Sequence, residues 1–467
     1  MKRRTLNPLA RFMRDNLTPE RWASVKDPRK PRGVRYKLVG LLNLLVLGLT
    51  VGSRTLRDVE RLSTKLAVGR AFGLRGSPTD TTLYNLVRGL SPSDLTSVLV
   101  EQVKELWLSK RMQVDPAIGI SLVAIDGKCL GADRELKHPE STAMTVPRRT
   151  ASKRRSKRNS TKVTDAKRGN LQLPDMDPGP DGKVYLVKAL RAVHVASAAK
   201  VAMHQVVIPA HRGEAPMFEG FVRELIRAYG RAMVQCVSVD AGFVTIQNLM
   251  MLAVLRIPYI AALKGNAGAL HRRLSMVMGQ GTDAPPPGGW IAETQEVRNK
   301  AQVHRQFGRL DEQGDCMEGD YRQVWRQRTT IVKDGKPPVV DDRLFITSLP
   351  MNRLTPAQCM AAIRAHWGIE NDCFWTLDTQ WDEDTRAWVK HGLGRESLAV
   401  LRLIAYNLVR IVRHRVLRDG EAPSNGENGG PLTYNLTRRK ARPFREVMEL
   451  LRDALVMPGI LPIPGGT

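Results

Sequence analysis

Two short apolar runs rich in β-branched residues, at 118–125 and 234–239, each break off at an aspartate: Asp126, followed by Gly-Lys, and Asp240, followed by Ala-Gly. Runs of this length and composition read as buried strands. Between them, 193–199 (VHVASAA) and 201–208 (VAMHQVVI) form a closely linked pair that predicts a hairpin, and 216–229 reads as a helix opened by Pro216. After Asp240 come a helical stretch at 243–255 and a further strand at 258–263. Two leading strands followed by strand and helix in alternation predict an α/β domain with a mixed sheet.

A third acid, Glu370, lies far downstream inside a helical pattern that starts with Thr355-Pro356-Ala357-Gln358, a capping-box sequence with proline in the first turn. A helix begun there reaches Glu370 after about four turns. Three acids so far apart in the chain can meet only through the fold. Taken singly, a strand-end aspartate is often a turn former and a helical glutamate is usually solvated. Taken together, they suit a hard divalent cation, which prefers oxygen ligands and needs only one or two carboxylates per ion. Two such ions roughly 3.5–4 Å apart stabilise both the attacking and the leaving oxygen of an in-line displacement at phosphorus.

Charge points the same way. The 467-residue chain has 73 Lys and Arg against 46 Asp and Glu, a formal net charge of +27, which predicts a polyanionic partner. A membrane surface is the competing polyanion. The longest apolar run, 39–51, is interrupted by Asn43 and falls well short of the roughly 18–20 residues that span a bilayer. It also starts too deep in the chain for a signal peptide, so it reads as a buried helix. The five cysteines are scattered, with no C-x-x-C pair or zinc spacing, which predicts a reducing compartment and, by default, the cytoplasm.

The chain divides by composition. Residues 1–115 read as a helical N-terminal region for DNA contact or dimerisation, or as a plain helical support; Ser91-Pro92-Ser93-Asp94 marks one helix start. Residues 116–281 form the first part of the α/β domain. Inside it, 147–170 is a basic arm: from Arg148 to Arg168 it holds ten basic residues and a single acid, Asp165. Such a segment has too little apolar content to order itself. Its Lys153, Arg154, Arg155, Lys157 and Arg158 are candidate contacts to nucleic-acid backbone, which lysine and arginine reach without reading sequence. After the APPPGG break, 282–353 reads as a β-rich insertion with strands at 290–297, 303–307, 322–332 and 344–348. The glutamate-bearing part of the domain follows at 354–418, and then a Gly-rich linker and C-terminal tail at 419–467.

Around the acids, His366 shares a helix face with Glu370, with Ile363, Trp367 and Phe374 as the adjacent apolar stripe. His366 is a candidate contact to the scissile phosphate or to the groups around the metal; an ordinary satisfied histidine is the alternative. Lys128 and Lys264, just past two of the strands, are candidate phosphate contacts or snorkelling surface lysines. No H-E-x-x-H zinc motif, no G-x-x-x-x-G-K-[ST] phosphate loop and no H-x-x-R occurs.

These blocks resemble bacterial insertion-sequence transposases of the DDE type, the group that includes H-repeat-associated proteins. VAIDGKCL is similar to the family's first-aspartate motif. VSVDAGFVTIQNLMMLAVLRIPYIAALKGN is similar to its second-aspartate block, and RAHWGIENDCFWTLDTQWDEDTRAW to its glutamate block. The N-terminal DPRKPRGVRYKLVGLLNLLVLGL and GSPTDTTLYNLVRGLSPSDL also resemble its helical region. The resemblance implies a ribonuclease-H-like catalytic fold: a mixed sheet with flanking helices, here with an N-terminal helical region and an inserted β-rich segment. It implies that Asp126, Asp240 and Glu370 are catalytic and ligate two Mg²⁺ or Mn²⁺ ions. It further implies cleavage and strand transfer on double-stranded DNA, at terminal inverted repeats and at a target, by a homodimer or higher multimer in a synaptic complex. The chain departs from the Y-x-x-R-x-x-x-E-x-x-x-x-x-x-K signature of related transposases, with Ile363, His366 and Leu377 at the Tyr, Arg and Lys positions. Two other readings stay open: a catalytically inactive, domesticated DNA-binding protein, and a structure-selective nuclease of the same fold.

Overall fold

A computed structural model describes residues 12–145, 179–416 and 443–456, apart from positions 33, 66–67, 70–71, 137, 299, 315–318, 386 and 392. The basic arm at 147–170, with Lys153, Arg154, Arg155, Lys157 and Arg158, lies outside the described residues, as does the Gly-rich linker.

Four helices lead the chain: α1 (Leu38–Thr50), α2 (Leu56–Ser63), α3 (Asp80–Gly89) and α4 (Pro92–Leu108). Helix α1 is the long apolar run, and its leucines from Leu41 to Leu49 are sealed from solvent. The interrupting Asn43 is satisfied by accepting from Trp22 Nε1 at 2.6 Å and donating to the Leu17 carbonyl at 2.9 Å. Side-chain caps begin the next three helices, from Thr55, Thr79 and Ser91, the last with Pro92 in the first turn.

Strands β1 (Leu122–Asp133), β2 (Ser141–Thr145), β3 (Lys183–His194) and β4 (Val201–Val207) come next, then α5 (Glu214–Met233), β5 (Cys236–Val239), α6 (Ile246–Val254), β6 (Tyr259–Leu263) and α7 (Gly268–Val277). The hairpin is present, but β3 ends at His194; 195–200 is its turn, with Lys200 at φ 48°, because the small residues at 196–199 leave little to pair. Strands β7 (Ala292–Arg298), β8 (Ala301–Asp311), β9 (Gln323–Lys333) and β10 (Val339–Thr347) follow, then α8 (Pro356–His366), α9 (Trp375–Trp381), α10 (Gly394–Ile411) and α11 (Phe444–Val456).

The expectation that β7–β10 make an inserted sheet of their own needs correcting. β10 pairs antiparallel with β6 from Leu344↔Leu263 to Thr347↔Ile260, so a single ten-stranded sheet runs β2-β3-β1-β5-β6-β10-β9-β8-β7, with β4 also paired to β3. Its middle, β4-β3-β1-β5-β6, has β3 antiparallel to both neighbours and β1, β5 and β6 parallel. That mixed α/β arrangement is the ribonuclease-H-like order implied by the resemblance. Within 419–467, where a tail was expected, α11 packs on α10 and brings Phe444 against Trp381 and Tyr406. Helix α10 lies between the N-terminal helices and the sheet, and one apolar cluster runs from Phe12 to Ala454.

Candidate active site

The two aspartates meet through strand register. β1 and β5 are parallel and pair through Ile125↔Val239, so Asp126 and Asp240 stand at the same level on neighbouring strands. This is the carboxyl edge of the parallel strands, where open α/β sheets bind ligands. Asp240 does follow the end of β5. Asp126 does not end β1, contrary to expectation: β1 continues to Asp133 against β3 alone, so the aspartate sits where the strand leaves its parallel neighbour. Both side chains are half-buried.

Glu370 arrives from the other side. The capping box at Thr355 and Gln358 forms as expected, with Pro356 in the first turn, but α8 stops at His366. Ile369–Phe374 then form a wider π-helical turn, so Glu370 is not carried by the continuous α-helix expected. Such turns recur at functional sites because they re-aim one side chain within a helix. Glu370 is exposed and, among the described residues, makes no ion pair or hydrogen bond through its side chain.

The three acids feel one another. Burial, then Glu370, Glu214 and Asp240, hold the Asp126 carboxyl well above the usual carboxylate range, against the 2.8 Å hydrogen bond from the Gly127 amide. Burial and Asp240 raise Glu370, with Lys264 and Arg343 pulling the other way. The local counter-charge is Lys264, whose Nζ lies 3.2 and 3.4 Å from the two Asp240 carboxylate oxygens.

A fourth acid escaped the reading of the sequence. Glu214, in the first turn of α5, rests on Gly127; a Cβ there would stand 2.1 Å from Glu214 Oε1, so any larger residue would push this carboxylate aside. Burial raises its carboxyl as well, and Asp240 adds to the shift. Its only signal in the chain was an acid at a helix start, which ordinary helices also favour.

Two expected phosphate contacts are engaged elsewhere. Lys128 turns inward, pairs with Asp378 and lies 5.4 Å above the Phe374 ring, which ties β1 to the segment carrying Glu370. His366 shares a hydrogen bond with Ser238 Oγ at 3.0 Å, and burial pushes its pKa down to about 4, so near neutral pH it is an uncharged link between α8 and β5. Lys264 alone of the three faces solvent beside the acids.

Further along the glutamate segment, acids are paired. Glu383 is fully buried, accepts from Arg191 Nη1 and Nη2 at 2.7 and 2.8 Å, and is held below the usual range by that guanidinium despite its burial. Asp372 pairs with Lys200 and Arg410. These pairs clamp the turn bearing Glu370 against β3 and α10.

Among the described residues, no three His, Cys, Asp or Glu side chains are gathered tightly enough to hold a metal ion. The donor chemistry nevertheless fits a divalent cation: hard carboxylate oxygens at one level of two adjacent strands and on a nearby turn, with the Asp126 and Glu370 carboxyls raised in a way that added positive charge would relieve.

No curated protein matches the chain. Among solved structures it is similar to a piggyBac transposase in a cryo-EM synaptic complex with hairpin DNA, at 11% identity, 99% coverage of this chain, 84% of that one, and a TM-score of 0.40, a likeness too loose to argue from. A family model described as the transposase DDE domain matches residues 119–408, a span that holds both aspartates and the glutamate. With well over half its length so matched, the chain belongs to the family of transposases with a DDE domain.

Proposed function

We propose that this protein is an active insertion-sequence transposase that cuts and joins double-stranded DNA, with Asp126, Asp240 and Glu370 as its catalytic carboxylates. The observation that carries the reading is the register Ile125↔Val239, which sets two aspartates side by side, with Glu370 close enough to help raise the Asp126 carboxyl. These three residues would hold two Mg²⁺ or Mn²⁺ ions, whose chemistry is to stabilise attacking and departing oxygens at phosphorus. The reactions are two in-line displacements: water at the element's end, then the freed 3′-hydroxyl at target DNA. Lys264 neutralises Asp240 in the free protein and faces the incoming phosphate, and Lys128 holds the Glu370 segment through Asp378. The working division is residues 1–115 as the helical region, 116–281 and 354–418 as the catalytic domain, 282–353 as its β extension and 419–467 as a linker followed by the packed helix α11. A homodimer or larger synaptic multimer in the cytoplasm, engaging terminal inverted repeats, completes the reading; no helix among the described residues is long and apolar enough to cross a membrane.

The test is cleavage of DNA carrying the element's ends. With Mg²⁺, the wild-type protein is expected to nick and then join strands, and Asp240→Ala to bind the same DNA with cleavage down on the order of 10²–10³-fold. Undiminished cleavage by that variant would reject the assignment. Binding without any wild-type cleavage would favour the domesticated DNA-binding protein, and cutting without joining the nuclease.

A further inference from the structure

The antiparallel strands outgrow the sheet at its catalytic edge. β6 ends at Leu263, level with Leu344 on β10 and Arg326 on β9, yet β9 runs on to Lys333. From Arg326 to Lys333 is seven residues, about 23 Å of strand beyond the level at which the parallel strands stop. The register Arg298↔Ala301↔Lys333 brings the β7–β8 turn to the same tip.

One face of this overhang is basic. Paired residues point to the same side, so Arg298, Lys333, Arg305 and Arg343 share the face on which α8 packs. Arg343 lies 4.7 Å above the Trp367 ring, three residues from Glu370. Arg364 on α8 and Arg305 both reach Glu296, and Lys300 is exposed in the turn. The acids on this face, Asp341 and Glu296, are already paired with Arg343 and with Arg305 and Arg364. Arg298, Lys300 and Lys333 form no ion pair among the described residues. The opposite face carries Val297, Val332 and Val340 at the tip and Arg328, paired with Asp283, further back; Val339 is the exposed apolar residue on the basic face.

We infer that this face is a duplex-DNA track: it leads from the turn bearing Glu370 to the tip, and Arg298, Lys300 and Lys333 hold backbone phosphates some seven base pairs from the scissile bond, at about 3.4 Å per pair. The inference rests on the transposase reading for the position of the cut, but the track binds phosphate whether or not the protein cuts. Its occupant is nucleic-acid backbone, because three unpaired cations clustered at the tip, at the end of a face lined by further arginines, hold phosphates without reading sequence.

The experiment uses the full chain, with its basic arm intact, and a fluorescent duplex of generic sequence titrated at several salt concentrations. The triple variant Arg298→Ala, Lys300→Ala, Lys333→Ala is compared with a charge-matched control, Arg223→Ala, Arg227→Ala, Arg445→Ala, at exposed sites elsewhere. Unchanged melting temperatures verify that both fold. The tip variant is expected to flatten the slope of log K against log salt by about 2–3, close to 0.9 for each lost contact, and the control by less than about 1. Equal slopes for the two variants would overturn the track, while Mg²⁺-dependent cleavage that Asp240→Ala abolishes would leave the transposase reading standing. A selective loss at the tip in a protein that never cuts DNA would support the track and count against catalysis.

Discussion

Acids at the carboxyl edge of the parallel strands and acids a dozen residues along the glutamate segment live under opposite rules. The carboxyls of Asp126, Glu214 and Glu370 are all raised by burial and by like charge, which in each case includes that of Asp240. Glu383 lies deeper than any of them, yet is lowered because Arg191 grips it with two hydrogen bonds. Burial therefore does not decide the charge state; the nearest counter-charge does. The inner pair is complete and serves the architecture. The edge is incomplete and gains from any cation brought to it.

The sharpest way to break this contrast is to open the inner pair. Glu383→Gln leaves the Arg191 guanidinium buried without its counter-charge and should cost about 3–5 kcal/mol by chemical denaturation. A loss under about 1 kcal/mol would mean that the pair is no clamp.

Next in size is a buried base with no counter-charge at all. His194 accepts or donates one hydrogen bond with Ser121 Oγ at 3.0 Å and packs edge-on against Trp107, and burial lowers its pKa to about 4. Because the folded value lies below the unfolded 6.5, the unfolded chain binds the extra proton, so stability is full above about pH 6.5 and falls as pH drops towards 4. The shift corresponds to about 3 kcal/mol. Urea melts across that window should flatten in His194→Gln; an unchanged slope would discount the histidine.

At the edge the sign reverses. Asp126→Asn removes a repelled charge and should raise the melting temperature in EDTA by on the order of 1–2 °C, while abolishing the stabilisation that Mg²⁺ gives the wild-type protein. Destabilisation in EDTA would contradict the account of the edge. The smallest effect belongs to Lys264→Ala, whose ion pair with Asp240 is largely exposed: under about 1 kcal/mol in stability, read by the same melts, with a rise in the KM for DNA if the lysine meets phosphate.

Much of the site was legible because its parts are local. The apolar run closing at Asp240, the capping box at Thr355 and the Ser91 helix start are statements about a few consecutive residues, and each formed, whereas β1 ran on past Asp126. Four features were not legible: Glu214 against Gly127, Lys128 drawn onto Asp378, the π-helical turn under Glu370, and the fusion of β10 to β6. Each depends on which distant surface a segment meets, and periodicity carries no record of that.

By itself, then, the amino-acid sequence determined the chemistry on offer: three carboxylates in order, a strong positive charge, helices with their stops and starts, and strands with a buried face. The tertiary structure alone decided which carboxylates stand together, which lysine stands beside them and which is drawn inward, and that the late strands overhang the carboxyl edge of the parallel ones. The reason is physical. Helix caps and strand periodicity arise from neighbours along the chain, whereas a carboxylate's charge state depends on burial and on charges brought near it only when the sheet closes its register.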